Sequence, residues 1–479
     1  MSQALLESLC VWMPELVLSL GAMLVMLLGA VSRTGMTASL ASWLVLAGSA
    51  ATLWMVQALP AGTWFFGLIA LDPFSLVFRW VALGVVALVV LMTHGSLEVE
   101  RTWTGEYLGV LLLLGAGLML MAQAAHLLMA YLAIELVSLS GYVLVALARD
   151  ARSSEAGLKY LLFGALSSGI MLFGMSLMFG MTGELSLGAI RHALGSLAPS
   201  HQAAAGVAVV LMLVGLAFKI SMVPFHMWTP DVYEGAPIPV TALLSVGPKA
   251  AGLALLVRIT QALAPVWEAV APILVVLTIV TMTLGNVVAL VQTNVKRLLA
   301  YSTIGQVGYL LIGFVVNTGL SLEALLVYVV AYLFMNLGAF ACVVAVCRDT
   351  GSESLEAFRG LAQRAPSMAL WCTLCLLSLA GIPPLLGFLG KFLLFGSAIE
   401  ANRTIFAVAG VINSAIALYY YVNIIRQMYL EAPASPVPLR PSRPLQLAVS
   451  VCGLATIGLG LFPAPLLTAI GQTTGTLLF

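Results

Sequence analysis

Three lysines and one glutamate stand where the surrounding pattern calls for hydrocarbon. They are Lys219 in GLAFKISMVPFHMW, Lys249 in SVGPKAAGLALL, Lys391 in GIPPLLGFLGKF and Glu135 in AYLAIELVSLSGY. The chemistry open to such groups is proton transfer. A buried amine keeps its proton while a carboxylate opposes it and tends to release it when the two separate. Each charge at the middle of a membrane costs about 2.5–3.5 kcal/mol on insertion scales, so four cost on the order of 10 kcal/mol, the net stability of a whole domain. They must therefore be paired, hydrated or neutralised. A single Lys219–Glu135 pair acting as a clamp is the structural reading, and it leaves the other amines without an acid. A row of amines that hands protons along through water accounts for all of them. Snorkelling serves for Arg79 and Arg258, near the ends of their spans, and not for lysines in mid-span.

His226 lies two residues after Pro224, in a stretch where a helix must break. Irregular backbone at that depth has to line a cavity or be buried in protein. The imidazole titrates in a useful range, so it is either a further relay group or a donor to the carbonyls that the proline frees. Asp231 and Glu234, in WTPDVYEGAP, either feed protons inward or cap the next helix.

These groups need helices to hold them. The chain has 479 residues, 62% hydrophobic and 8% charged, against about a quarter charged in ordinary soluble domains. A net charge of +1 leaves no electrostatic footprint for nucleic acid. Apolar runs of spanning length number about fourteen, from 9–31 to 445–470, with the fifth at 125–148, the seventh at 205–228, the eighth at 239–262 and the twelfth at 366–399. The expected fold is an all-α polytopic membrane protein. MSQALLESLC carries Glu7 and no basic residue, so the first span is expected to be retained rather than cleaved as a signal. Cys372 and Cys375 form a CxxC inside an apolar helix and read, like the other cysteines, as small packing residues. No GxGxxG after a strand and no phosphate-binding loop occurs. The chain itself is expected to hold neither cofactor nor metal.

Most of the 20 basic residues fall in loops after odd-numbered spans, among them Arg33, Arg101, Arg152, Arg297 and Arg348. Arg191 and Arg403 fall on the other side. The positive-inside rule then places those loops in the cytoplasm and both termini outside. AYLAIELV (130–137) matches AYSTIGQV (300–307) at Ala, Tyr, Ile and Val, an offset of 170 residues and five spans. An odd number of spans reverses the second copy, which is the inverted repeat of transporters. Spans four to eight correspond to nine to thirteen, and the break at Pro224 in span seven to that at Pro383 and Pro384 in span twelve. The division is 1–104 for three N-terminal spans, 105–262 and 263–430 for the two copies, and 431–479 for the last span.

PFHMWTPDVYEGAPIPVTALLSVGPKAAGLALLVRI (224–259) closely resembles the signature of the antiporter-like subunits of NADH:quinone oxidoreductase, respiratory complex I, a family that includes subunits of multi-component sodium/proton antiporters. The resemblance covers essentially the whole chain and is greatest to the N type. Lys391 argues against the M type, which carries glutamate there, and the short stretch after span fourteen against the L type. The resemblance implies that Glu135, Lys219, Lys249 and Lys391 form a polar axis through the membrane. It implies proton translocation coupled to quinone reduction elsewhere, with FMN, iron–sulfur clusters and quinone in partner subunits. It further implies M-type and K-type neighbours and a bacterial inner membrane. The alternative is a sodium/proton antiporter subunit with no redox partner.

Overall fold

The computed structural model describes residues 3–32, 35–96, 98, 104–197, 199–433 and 435–473. Arg33 and Arg101 of the charge pattern lie outside the described residues. In chain order the helices are α1 (Gln3–Ser32), α2 (Met36–Val56), α3 (Pro73–Thr93), α4 (Thr104–Gln123), α5 (Leu127–Ala146), α6 (Ala151–Thr182), α7 (Leu187–Gly195), α8 (Pro199–Ile220), α9 (Trp228–Gly235) and α10 (Ile238–Ala262). They continue as α11 (Trp267–Ala289), α12 (Val295–Val316), α13 (Gly319–Thr350), α14 (Leu361–Arg364), α15 (Pro366–Ala380), α16 (Leu386–Glu400), α17 (Thr404–Leu430), α18 (Arg443–Leu461) and α19 (Ala464–Gly471). Thirteen of those described are long and apolar enough to cross a membrane. The remaining expected crossing, 366–399, is divided into the half-length α15 and α16. The expected seventh span stops short, at Ile220.

Both breaks have the same local cause and geometry. Pro224, Pro383 and Pro384 have no N–H to continue a helical ladder, so the chain leaves the helix before reaching them. At each exit one residue takes a left-handed conformation, Ser221 with φ 64° and Gly381 with φ 92°. The amide after it reaches back five residues, Met222 N to Ala217 O at 2.8 Å and Ile382 N to Leu377 O at 3.0 Å. This closure satisfies some of the carbonyls that a helix end leaves open. A cis peptide precedes Pro224 and Pro384.

Other devices recur at a spacing of 168 residues. His126 pairs with Ser186 across an isolated bridge, and Asn294 with Ser354. Thr182 Oγ1 donates to Met178 O, and Thr350 Oγ1 to Val346 O, both one residue before a left-handed glycine, Gly183 or Gly351. The alignment of 130–137 with 300–307 is thus two residues out of register with the structural correspondence. Ser186 follows the end of α6, whereas Glu353, beside Ser354, bonds Arg152 at the start of α6. The two bridges therefore lie at opposite ends of the helix bundle.

The centre of the molecule is α10, buried at every residue except Gln261, with α12 and α13 nearly as enclosed. Helices at the periphery, α1, α2 and α6, show most of their apolar surface outward, as lipid-facing helices do. Close packing demands glycine where α1 meets α4: a Cβ on Gly105 would stand 2.5 Å from Gly29 Cα.

One departure from an all-α chain is a short antiparallel hairpin, β1 (Gly62–Trp64) with β2 (Ile69–Leu71), registered Gly62 to Leu71. Strands of three residues are too short to announce themselves by alternation. A second departure concerns the arginines assigned to snorkelling. Arg79 is fully buried, donating to Glu15 at 2.8 Å and to Val11 O. Gln123 donates to the other Glu15 oxygen at 2.7 Å. Arg258 is fully buried in a two-pronged pair with Asp72, at 2.7 and 3.0 Å, with Nε on Ala122 O. Arg79 thus joins α3 to α1 within the first three helices, and Arg258 of α10 ties the start of α3 to the rest of the bundle. Glu15 of α1 is the buried partner of Arg79.

Candidate functional site

The expected Lys219–Glu135 pair is indirect. Lys219 sits in the last turn of α8, just before the break, and is fully buried. Its amine donates to Ser138 Oγ at 2.9 Å. Ser138 lies one turn after Glu135 on α5 and commits its hydroxyl proton to Ile134 O at 2.7 Å, which leaves its oxygen free to accept from the lysine. Glu135 is half-buried, with Oε1 buried and without a hydrogen-bond partner. Ser138 is therefore the link between the acid-bearing helix and the amine. The sequence signal was present, a hydroxyl three residues after a mid-span glutamate, and was passed over.

Lys249 is held differently. It follows Pro248 within α10, is fully buried, and its amine has no hydrogen-bond partner. Aromatic faces receive it: Nζ lies 4.5 Å from the Trp228 ring centre and 5.4 Å from that of Tyr233, a geometry in which the ring quadrupole attracts a cation. Trp228 stacks on Tyr160 at 4.4 Å and anchors its indole N–H on Phe218 O, a carbonyl near the end of α8. The broken helix therefore supplies both the position of Lys219 and the ring over Lys249.

Lys391, on α16, points back at the helix half that precedes it. Its amine donates to Leu379 O at 3.0 Å and Ala380 O at 3.1 Å, the last carbonyls of α15, and to Ser414 Oγ at 3.3 Å. Open carbonyls and the negative end of the helix dipole suit a cation there. The Tyr309 ring lies 4.2 Å away. Tyr309 and Ser414 lead on to a buried cluster in which Asn286 meets Tyr309 and Asn413, and Tyr420 donates to Asn286 at 2.9 Å. None of these was singled out from sequence.

His226 is half-buried in the turn between α8 and α9, with Nδ1 unpartnered. It is Trp228, not the histidine, that takes the Phe218 carbonyl. Asp231 and Glu234 do not cap α10. That helix is met by Glu98, whose carboxylate accepts from Ile238 N at 2.6 Å. Asp231 instead pairs with Lys159 and Arg297, and Glu234 with Arg297 and Arg152. Arg152 also forks onto Glu353, which further receives Lys296 and Asn294. Arg152, Lys159, Asp231, Glu234 and Arg297 border a cleft of about 260 Å³. Burial opposes the charged form of Asp231, but Lys159 and Arg297 outweigh it and hold the carboxyl below its usual value. Burial dominates at Glu98 and pushes its carboxyl up, despite Lys296.

Cys372 and Cys375 are buried in α15 and unbonded to each other, as packing residues would be. Among the described residues no cluster of three or more His, Cys, Asp or Glu could hold a metal.

Residues 124–417 match the family described as NADH:quinone oxidoreductase/Mrp antiporter. The chain is similar to NADH-quinone oxidoreductase subunit N 1 of Rhizobium meliloti (strain 1021), with 41% identity over 98% of both chains. It is 40% identical to NAD(P)H-quinone oxidoreductase subunit 2 of Microcystis aeruginosa, over 91% of this chain and 89% of that one. Among solved structures it resembles a chain of respiratory complex I from Thermus thermophilus with bound Aureothin, with a TM-score of 0.82, 34% identity, and coverage of 96% of this chain and 100% of that one. A chain of the Mrp complex from Dietzia sp. shares the fold, with a TM-score of 0.84 at 23% identity over 98% and 97% of the two chains.

Proposed function

We propose a proton-carrying role for the buried amines of this chain, which belongs to the NADH:quinone oxidoreductase/Mrp antiporter family. Its relatives at about 40% identity over nearly their whole length are quinone oxidoreductase subunits, and it is the N subunit of such a complex, in the membrane arm. The sodium/proton antiporter reading gives way, since likeness to the Mrp complex is at the level of fold. The chain is a multi-span protein of a bacterial respiratory complex.

The observation that carries the relay is how the three amines are held. Lys219 rests on a hydroxyl, Lys249 on aromatic faces and Lys391 on carbonyls and a hydroxyl. None is locked to a carboxylate, so each can give up and regain a proton without stranding a buried anion. Arg79 and Arg258, by contrast, are locked to acids and serve as fasteners. In this reading Glu135 acts on Lys219 through Ser138, the proton passes to Lys249 and on to Lys391 through water, and Lys391 gates the far side. His226 stands beside the Lys219 end as a further relay candidate. Events at the quinone end bias the Glu135–Ser138–Lys219 link, a local electrostatic change acting on a two-state element. FMN, iron–sulfur clusters and quinone belong to partner subunits, M-type and K-type subunits flank this one, and the ion-pair cluster around Asp231 and Glu353 faces the cytoplasm with both termini outside.

The test is Lys219→Ala in the assembled complex. Proton pumping with quinone should fall while NADH oxidation by an artificial acceptor, which reports assembly, is kept. Unchanged pumping would make Lys219 structural.

A further inference from the structure

Four cysteines that the relay leaves unused come together from three helices. Cys342 lies on α13, Cys372 and Cys375 on α15, and Cys452 on α18, and each is at most 2% exposed. Along this stretch α13 and α15 run antiparallel in a register that can be followed over three contacts. Ser378 Oγ donates to Met335 Sδ at 3.5 Å. One turn away, a Cβ on Gly338 would strike Cys375 Sγ and stand 2.8 Å from Cys452 Cβ. The next turn sets Cys342 against Cys372. The Cys342 thiol donates to Met368 O at 3.9 Å, the carbonyl that accepts the Cys372 amide in the helical ladder. It also faces the Cys372 thiol. Steps of three and four residues on each helix keep these contacts on one seam.

Facing thiols can do more than fill space, because each can exchange its proton for a metal ion. Among the described residues no set of three or more such ligands is gathered, so the pair offers two-coordinate ligation only. Zinc, which takes four ligands in a tetrahedron, is not suited by it. Thiolate sulfur selects soft ions, and burial decides among them by charge. Two thiolates leave copper(I) or silver(I) with a net negative charge, which is costly in an apolar interior. With mercury(II) the charges cancel and the linear unit is neutral. Access fits the same ion. Mercuric chloride is neutral, and α15 shows Leu370 on its outer face, one helix width from the thiols.

We propose that Cys342 and Cys372 form a two-coordinate site for a soft divalent ion, mercury(II), that joins α13 to α15. Mercuric chloride exchanges two Hg–Cl bonds for two Hg–S bonds, and the two thiol protons leave with the two chlorides. No electron is transferred. The ion bridges α13 to the half-helix whose last carbonyls hold Lys391, about two turns beyond Cys372. The site does not depend on the relay.

The experiment exposes the intact, detergent-purified complex to mercuric chloride and washes it with glutathione. The wash strips accessible thiols, among them Cys10 and Cys347, the less buried cysteines of this chain. The mass of this subunit is then read by native mass spectrometry. Artificial-acceptor activity, measured before mercury is added, reports assembly of each variant. Wild type should keep one mercury in place of two protons. Cys342→Ser and Cys372→Ser should each keep none, whereas Cys452→Ser should keep it. Cys342→Ala and Cys372→Ala replace the serine variants if those fail to assemble. Zinc chloride used in place of mercuric chloride should leave no metal on the subunit. The site is refuted if wild type keeps no mercury, if the Cys342 and Cys372 variants keep it, or if the loss follows Cys452→Ser instead. Zinc held as firmly as mercury would refute the two-coordinate assignment.

Discussion

Replacing Ser138 by alanine tests the link between Glu135 and Lys219 at its single atom of contact. The Ser138 hydroxyl accepts from the Lys219 amine at 2.9 Å, and it is the only hydrogen bond that amine makes among the described residues. Alanine removes the acceptor and opens no large cavity. A hydrogen bond to a charged group is worth about 1.5–3 kcal/mol. At 1.36 kcal/mol per factor of ten, losing it in the state that passes the proton slows coupled turnover by roughly 10- to 150-fold. The assay is NADH-driven acidification of inside-out vesicles, followed with a pH-sensitive dye and normalised to artificial-acceptor activity. Ser138→Thr keeps the hydroxyl and should retain most of the pumping. The reasoning is refuted if Ser138→Ala pumps at the wild-type rate, or if Ser138→Thr is as poor as Ser138→Ala while both assemble fully. In the second case packing, not the hydroxyl, would carry the effect.

Arg258→Ala removes the guanidinium that neutralises the buried Asp72 carboxylate and should cost about 3–5 kcal/mol, seen as loss of assembled complex; Arg258→Lys, lacking the two-pronged fork, should not restore it. Gly105→Val forces α1 and α4 apart at their closest approach and should lower thermal stability by about 1–3 kcal/mol. Glu353 is held below its usual 4.5: burial pushes it up, but Lys296, Arg152 and Asn294 outweigh that. Its contribution is therefore fully present above the unfolded value and is lost as pH falls through the lower folded value. Thermal melts at neutral and acid pH should show this loss, and Glu353→Gln should remove that part of the pH dependence.

The spans, their number and the four mid-membrane charges were legible because hydrocarbon imposes a composition on every residue that meets it. Pro224, Pro383 and Pro384 marked both helix breaks for an equally local reason, a missing N–H. What escaped was everything that depends on a partner far along the chain. Arg79 looked like an ordinary helix-end residue, and only the tertiary placement of Glu15 beside it makes the two a buried pair. Asp231 and Glu234 looked like caps, yet the cap of α10 comes from Glu98, well over a hundred residues earlier.

The amines show the same division. Composition alone required that Lys219, Lys249 and Lys391 be buried together with something polar, because an unaccompanied charge in a membrane is too costly. It could not say that the companions are a hydroxyl, two aromatic rings and two helix-end carbonyls. Those choices were made by which helices touch. A serine, a tryptophan and a peptide carbonyl carry no net charge, so nothing in a sequence marks them as partners of a cation until tertiary contact brings them within a few ångströms of it.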